Sequence, residues 1–397
     1  MFFEIYDKIY SGTTQWIDRF TATKYWQWKY VAFLTIYILI TSCPNYYLLG
    51  GNRNDSKKTV YILKLVDWIA AHPFQNFPAQ YLNSEELGSG MKSHFAKRPG
   101  RVAVPLFCRF LGLNAQHYIW IQHLLGCLFL WGLIRWLTLY TNVRIAMISA
   151  FMMANLFVVK WFYYDFFYYD STAFLLMFVA IMYRNPLLII GSVVISGFVD
   201  ERSVIGSGGI LLWWLWQESK GKLYISDLAD FKKYRATWAT IFGVLLVISL
   251  RIMVLRFTTL EVDTSLIGKN PILQNMNTWP IALFMTFEGA WAVILMTILT
   301  LYYDKKWAFL VLFMTTLLAI FLGGMIVIDL TRSFSYGFLL ILFSLVYLYS
   351  PSRSVQMERA LLGLAVSCVL VPTYYVYGPE MSWLSPLILK IQIFLRA

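Results

Sequence analysis

Residues 161–170 read WFYYDFFYYD, from Trp161 to Asp170. Eight aromatics and two carboxylates close an apolar run that starts near Ile145. Tyr and Trp gather where a membrane-spanning segment meets water. A carboxylate in such a stretch is held there by pairing or by function. The stretch therefore reads as the end of a membrane helix that carries a polar site. Two later apolar runs end on comparable clusters, Asp200-Glu201-Arg202 and Asp329-Leu330-Thr331-Arg332.

Outward from that stretch, the composition points the same way. Of 397 residues, 59% are hydrophobic and only 14% are charged, whereas a soluble domain carries about a quarter charged residues. Repeated apolar runs long enough to cross a hydrocarbon core of about 30 Å predict an all-α, polytopic transmembrane protein. About 11 spans are expected, near 30–49, 118–137, 145–162, 171–183, 186–199, 204–217, 236–256, 280–302, 307–328, 333–349 and 360–377. Residues 1–397 read as a single integral-membrane domain. No cleavable signal peptide is expected, because the first 28 residues are mixed and charged. The net charge of +12 sits mainly between spans, so it argues for membrane orientation and not for nucleic acid.

Lys8, Arg19, Lys24 and Lys29 place residues 1–29 in the cytoplasm under the positive-inside rule. Every predicted inner loop is then basic: Arg144; Arg184; Lys220, Lys222, Lys232, Lys233 and Arg235 in the loop 218–235; Lys305 and Lys306; Arg353 and Arg359. Arg251 and Arg256 fall outside as a small exception. The long segment 50–117 becomes extracytoplasmic, with amphipathic surface helices over 59–71 and 102–113. His72-Pro73 ends the first of these, and Asn185-Pro186 marks a tight inner turn. The outer acids are Asp55, Asp67, Glu85, Glu86, Asp165, Asp170, Asp200, Glu201, Glu261, Asp263 and Asp329, with Glu288 in the outer part of its span. Mid-span regions read as nearly free of charge. The membrane expected is a bacterial inner membrane, with an active site on its extracytoplasmic face.

Several chemistries lack their residues. There is no GxSxG, HExxH, phosphate-binding GxxxxGK or dinucleotide GxGxxG pattern. The four histidines have no ligand spacing, and the four cysteines show no CxxC, so a zinc enzyme, a histidine acyltransferase and thiol chemistry are all disfavoured. The outer acids and arginines remain. A carboxylate can take a proton from an acceptor hydroxyl or hold a divalent cation such as Mg or Mn. Asp55 stands in GGNRND, where two glycines let the chain turn at the membrane surface; it reads as a general base or as a solvated aspartate beside Arg53. Asp165 and Asp170 are five residues apart, about 140° around a continuous helix. They converge on an acceptor or a cation only if the chain between them bends; otherwise they are interfacial. Arg202, with Asp200 and Glu201, suits a phosphate through its fork geometry, or forms a local ion pair. Asp329 and Arg332, at i and i+3, pair with each other or share that role. Arg98 and Arg101, in KRPGR, are further candidates for a lipid phosphate.

The pattern resembles the GT-C superfamily of integral-membrane glycosyltransferases, over most of the chain as architecture and on short motifs. Asp55 matches the family's early aspartate of the first outer loop, and Asp165, with Asp170 close by, matches the acids of the second. FVDERS resembles the acid-plus-arginine step of some bacterial members, and RPGRVAVPLFCRFLGL their lead-in to the second span. The resemblance implies transfer of a sugar from a polyprenyl-phosphate-linked donor to a glycan or lipid-linked acceptor. Asp55 would be the base, Asp165 or Asp170 would position acceptor or cation, and Arg202 and Arg332 would hold the departing phosphate. The chain lacks the tight DxD that would imply metal dependence. A polysaccharide polymerase or ligase working through arginines is the nearest alternative. A transporter or lipid flippase fits less well, since neither internal repeats nor mid-span charges are visible.

Overall fold

The structure, a computed structural model, describes residues 2–42, 63–78, 98–164, 169–258, 260, 269–384 and 386–396. It is helical almost throughout. Helix α1 (Phe2–Thr21) precedes α2 (Trp26–Thr41), residues 63–71 form α3, and α4 (Ala103–Phe110) leads into α5 (Ala115–Tyr140). Then come α6 (Val143–Asn155), α7 (Phe157–Tyr164), α8 (Asp170–Met182), α9 (Pro186–Val199), α10 (Arg202–Ser219) and α11 (Arg235–Phe257). The remainder comprises α12 (Lys269–Asn275), α13 (Trp279–Phe287), α14 (Trp291–Tyr303), α15 (Trp307–Met325), α16 (Leu330–Phe334), α17 (Phe338–Leu348) and α18 (Ser354–Leu370). An antiparallel hairpin of β1 (Tyr374–Tyr377) and β2 (Glu380–Trp383) follows, and then α19 (Leu387–Arg396).

Local chemistry sets many of these boundaries. The Asn114, Asn142 and Asn185 side chains accept the His117, Ile145 and Leu187 amides at 3.0, 2.8 and 2.9 Å, starting α5, α6 and α9. Each such cap is worth about 0.5–2 kcal/mol. Pro186 fits the first position of α9, where no amide hydrogen is needed. Helices form within both segments expected to carry surface helices: α3, which stops before His72-Pro73, and α4. In α3, Leu65, Val66, Ile69 and Ala70 are buried while Lys64 and Asp67 face out.

Among the described residues, five helical stretches are long and apolar enough to cross a membrane: His117–Tyr140, Arg235–Phe257, Trp279–Tyr303, Trp307–Met325 and Leu330–Leu348. A sixth results if α6 and α7, bent by 61°, count as one. The described residues thus show five or six such stretches where about eleven spans are expected for the whole chain. Helices α8 and α9 have 13 and 14 residues, about 20 Å at 1.5 Å per residue, short of a hydrocarbon core of about 30 Å.

Three expected spans are also interrupted. The run 145–162 breaks at Asn155, whose side chain accepts the Tyr37 hydroxyl at 2.6 Å and donates back to the Phe151 carbonyl at 2.9 Å. The run 280–302 breaks at Glu288, held at φ 44°, where few non-glycine residues go. The run 360–377 stops being helical at Leu370, because Pro372 follows. The β-branched and aromatic residues beyond it pair as a strand instead, and Gly378, at φ 55°, supplies the turn.

The helix Leu330–Leu348 sits at the centre, and every residue of α17 from Phe338 to Val346 is buried. Helix α10 reaches it by backbone contact. A Cβ on Gly206 would lie 2.5 Å from Met177 Cε in α8 and 2.9 Å from the Tyr336 carbonyl oxygen. That close approach brings α8, α10 and the 329–337 segment together. Helices α8, α9 and α10 alternate in direction, so Asp170, Asp200 and Arg202 share one end of the bundle. At the opposite end Arg184 pairs with Glu218 at 3.1 Å.

Candidate acid–arginine site

Three carboxylates and three guanidiniums meet at that shared end, and all six side chains are largely buried. Arg202 is the hub. Its Nε and Nη2 donate to the two oxygens of Asp200 at 2.7 and 2.5 Å, Nη2 also reaches Asp170 Oδ1 at 3.0 Å, and Nη1 reaches Ser333 Oγ at 3.0 Å. The guanidinium lies 5.5 Å from the Tyr336 ring centroid. Arg101 approaches from the turn Arg98–Gly100 and places Nη1 2.8 Å from Asp200 Oδ2. Arg332 holds Asp329 Oδ2 at 2.7 Å and faces Asp170 Oδ2 at 3.4 Å. Tyr336 donates to Asp170 Oδ1 at 2.8 Å, and Tyr375 donates to Asp329 Oδ1 at 2.5 Å.

Helix ends put these groups in place. Asp170 is the first residue of α8, and Asp200 Oδ1 accepts the Arg202 amide at 3.0 Å where α10 begins. Asp329 directly precedes the stretch Leu330–Leu348, and its carbonyl accepts the Ser333 hydroxyl at 2.5 Å. A carboxylate at a helix N-terminus gains about 0.3–1 kcal/mol from the dipole. Each therefore offsets both a positive helix end and an arginine. The chain enters α8 through Tyr169 at φ 58°, a left-handed conformation that costs about 1–3 kcal/mol and persists where the surroundings enforce it. Those surroundings include the Tyr118 ring, edge-on to Tyr169 at 5.5 Å, and the Tyr118–Thr172 hydroxyl contact.

The rim is more open. Glu201, with its side chain 49% exposed, accepts Arg101 Nη2 at 2.7 Å and lies 3.6 Å from Arg251. Arg251 otherwise donates to the Gly197 carbonyl at 3.0 and 2.6 Å. Arg98 is buried in the turn beside Arg101.

Asp170, Asp200, Glu201, Arg202, Asp329, Arg332 and Arg101 thus come together from sequence positions as far apart as 101 and 332, with Arg98 adjacent. The local pairs Asp200–Arg202 and Asp329–Arg332 both form, but they are joined into one network. Asp55 and Asp165 lie outside the described residues. Among the described residues, no group of three or more His, Cys, Asp or Glu side chains is placed to hold a metal ion; Asp170, Asp200 and Asp329 each face guanidinium groups.

Tyr336, Ser333 and Tyr375 were not anticipated. Tyr336 follows Arg332 by one helical turn, a spacing that places both on one face. Tyr375 lay in an apolar aromatic run read as the end of a span.

A second buried polar group links Lys160, near the end of the expected span 145–162, to Glu288, expected in the outer part of its span. Lys160 in α7 donates from Nζ to Thr373 Oγ1 at 2.6 Å, and Thr373 Oγ1 donates to Glu288 Oε1 at 3.0 Å. All three side chains are buried.

Chemically, the main site presents N–H groups in forks suited to phosphate or carboxylate, inside an apolar shell where their charge is weakly screened. Compared with family models, with curated proteins and with solved structures, this chain has no match.

Proposed function

We propose that this chain is an integral-membrane glycosyltransferase that moves a sugar from a polyprenyl-phosphate-linked donor to a glycan or lipid-linked acceptor. The observation that carries this reading is the convergence of Arg101, Arg202 and Arg332 on one buried end of the bundle, beside two helix N-termini. A leaving phosphate gains charge as the glycosidic bond breaks, and preorganised guanidiniums in a dry site stabilise that charge. The three aspartates hold the arginines in place until the phosphate arrives and takes over N–H groups that they now occupy. Asp55 acts as general base on the acceptor hydroxyl, and Asp165 or Asp170 positions the acceptor or a divalent cation. The basic loops around Arg144, Arg184 and Lys233, at the other end of the bundle, support an extracytoplasmic site in a cell-envelope membrane.

A transporter or lipid flippase is the second reading. Broken helices and intramembrane ionisable groups mark transport sites, and the breaks at Asn155 and Glu288 flank Lys160 and Glu288. Proteoliposomes given a panel of labelled polyprenyl-phosphate sugars separate the two. Covalent transfer of label to acceptor, abolished by Asp55→Asn in a protein that still folds, supports the transferase. Unchanged turnover in Asp55→Asn overturns the base assignment. Movement of intact donor across the bilayer without transfer overturns the reading as a whole. Alanine at Arg202 that is more damaging than alanine at Asp55 favours a polymerase or ligase working through arginines.

A further inference from the structure

Helix α7 turns one face toward the hairpin. Phe157, Lys160 and Trp161 are spaced i, i+3 and i+4, so they share that face. Phe157 stacks on Tyr375 with centroids 5.8 Å apart, Trp161 lies 5.5 Å from the same ring, and Lys160 holds the Thr373 hydroxyl at 2.6 Å. Thr373 and Tyr375 are two residues apart on an extended segment, so both point the same way.

Thr373 is also the root of the hairpin, since its carbonyl accepts the Leu384 amide at 3.0 Å. Its hydroxyl bridges Lys160 to Glu288, which sits in the positive-φ kink between α13 and α14. The neighbouring Gly289 packs closely against α18, with no room for a side chain: a Cβ would stand 2.4 Å from Ser367 Oγ and 2.8 Å from the Leu364 carbonyl. The same hydroxyl also lies 3.3 Å from the Asn155 carbonyl, so both helix breaks meet at Thr373, where the hairpin starts.

From that root the hairpin reaches the main site. The Val376 amide donates to Thr331 Oγ1 at 3.0 Å, and Tyr375 donates to Asp329, which in turn holds Arg332 at 2.7 Å. Lys160 and Glu288, both buried, are linked through the Thr373 hydroxyl, and buried ionisable groups are costly when a partner is removed, so the link anchors what it holds.

We infer that Lys160, Thr373 and Glu288 are positioning residues that lock the 374–383 hairpin so that Tyr375 sets Asp329 and Arg332 in the acid–arginine site. Its catalytic consequence rests on the proposed transferase reading; its structural consequence does not.

The test uses the full chain in lipid nanodiscs, with three variants. Thr373→Val keeps the shape and removes the bridging hydroxyl, Thr373→Ser restores a hydroxyl, and Tyr375→Phe removes the hydroxyl that donates to Asp329. Thr373→Val is expected to raise amide hydrogen exchange several-fold over residues 374–384 and 326–332, while Thr373→Ser stays at the wild-type rate. Thr373→Val and Tyr375→Phe are each expected to lower the kcat of sugar transfer by about ten- to a hundredfold through misplacement of the site. Thr373→Ser rescues transfer, and Tyr375→Phe leaves exchange at the hairpin root unchanged. Wild-type exchange in Thr373→Val overturns the inference. Raised exchange with unaltered transfer reduces the trio to scaffold and overturns it as well. If the wild-type chain transfers no sugar, the transferase reading fails, and the exchange pattern alone decides the lock.

Discussion

Replacing Asp170 by Asn removes one negative charge from a buried, balanced set while keeping its shape. Asp170 Oδ1 accepts Arg202 Nη2 at 3.0 Å and the Tyr336 hydroxyl at 2.8 Å, and Oδ2 faces Arg332 Nε at 3.4 Å. The amide oxygen of Asn can keep the contacts on one side. Its NH2 group then points hydrogens at a guanidinium, which has no acceptor to offer. Leaving a buried charge uncompensated costs about 3–5 kcal/mol, or about a hundred- to several-thousandfold in the ratio of folded to unfolded protein.

Arg202→Gln falls in the same range, because it strips Asp200 of two contacts at 2.7 and 2.5 Å. The double variant removes one charge of each sign, leaving Asp200 with Arg101 and Asp329 with Arg332. Its cost is expected to fall short of the sum of the single costs by about 0.5–3 kcal/mol. Unfolding by dodecyl sulfate in mixed micelles, followed by tryptophan fluorescence, measures all three variants on one scale. Single losses below about 1 kcal/mol, or a double variant additive to within about 0.3–0.5 kcal/mol, would refute the account of one coupled buried network.

Other expectations concern packing and pH. Gly206→Ala forces a Cβ against Met177 and the Tyr336 carbonyl and is expected to cost about 1–3 kcal/mol. Gly191→Ala, in the interior of α9 with nothing within 4 Å, gains about 0.5–1 kcal/mol from helix propensity; the same unfolding measurement reads both. Asn185→Ala, which removes the cap of α9 at the Leu187 amide, loses about 0.5–2 kcal/mol. At the opposite end, Arg144 forks onto Asp18 at 2.9 and 2.6 Å and holds the Asp18 carboxyl below its usual pKa. A carboxyl depressed in the folded state contributes above its unfolded pKa of about 3.9, and that contribution fades as pH falls through the lower folded value. Exchange of the α1 amides is therefore flat from neutral pH to about pH 4 after correction for intrinsic rates, and rises below it. Arg144→Gln removes that acid step.

Much of this arrangement is legible in the chain. The apolar runs give helices, the asparagine caps give several boundaries, and the three acid-bearing clusters at run ends give most of the site. Length was misleading where hydropathy cannot tell a membrane span from a shorter helix enclosed by protein, as in α8 and α9. The kink at Glu288 has one trace in the apolar pattern, a carboxylate followed by glycine, and Gly289 packs closely against α18. The hairpin was hidden because TYYVY continues the apolar run, although Pro372 and Gly378 were its signals. Links such as Arg101 to Asp200, and Tyr375 to Asp329, join residues far apart in sequence. Only the folded packing brings them together, so no local spacing announces them. Lys160, like Glu288 already noted in its span, is a lone ionisable residue inside an apolar run, which by itself implies a buried partner.

The most direct test of the central claim is an experimental structure of the chain with a polyprenyl phosphate bound. The account predicts the phosphate oxygens at about 2.7–2.9 Å from guanidinium nitrogens of Arg202, Arg332 or Arg101, with at least one of Asp170, Asp200 and Asp329 displaced from its present partner. A lipid phosphate bound elsewhere, with every aspartate–arginine contact of the network intact, would contradict it.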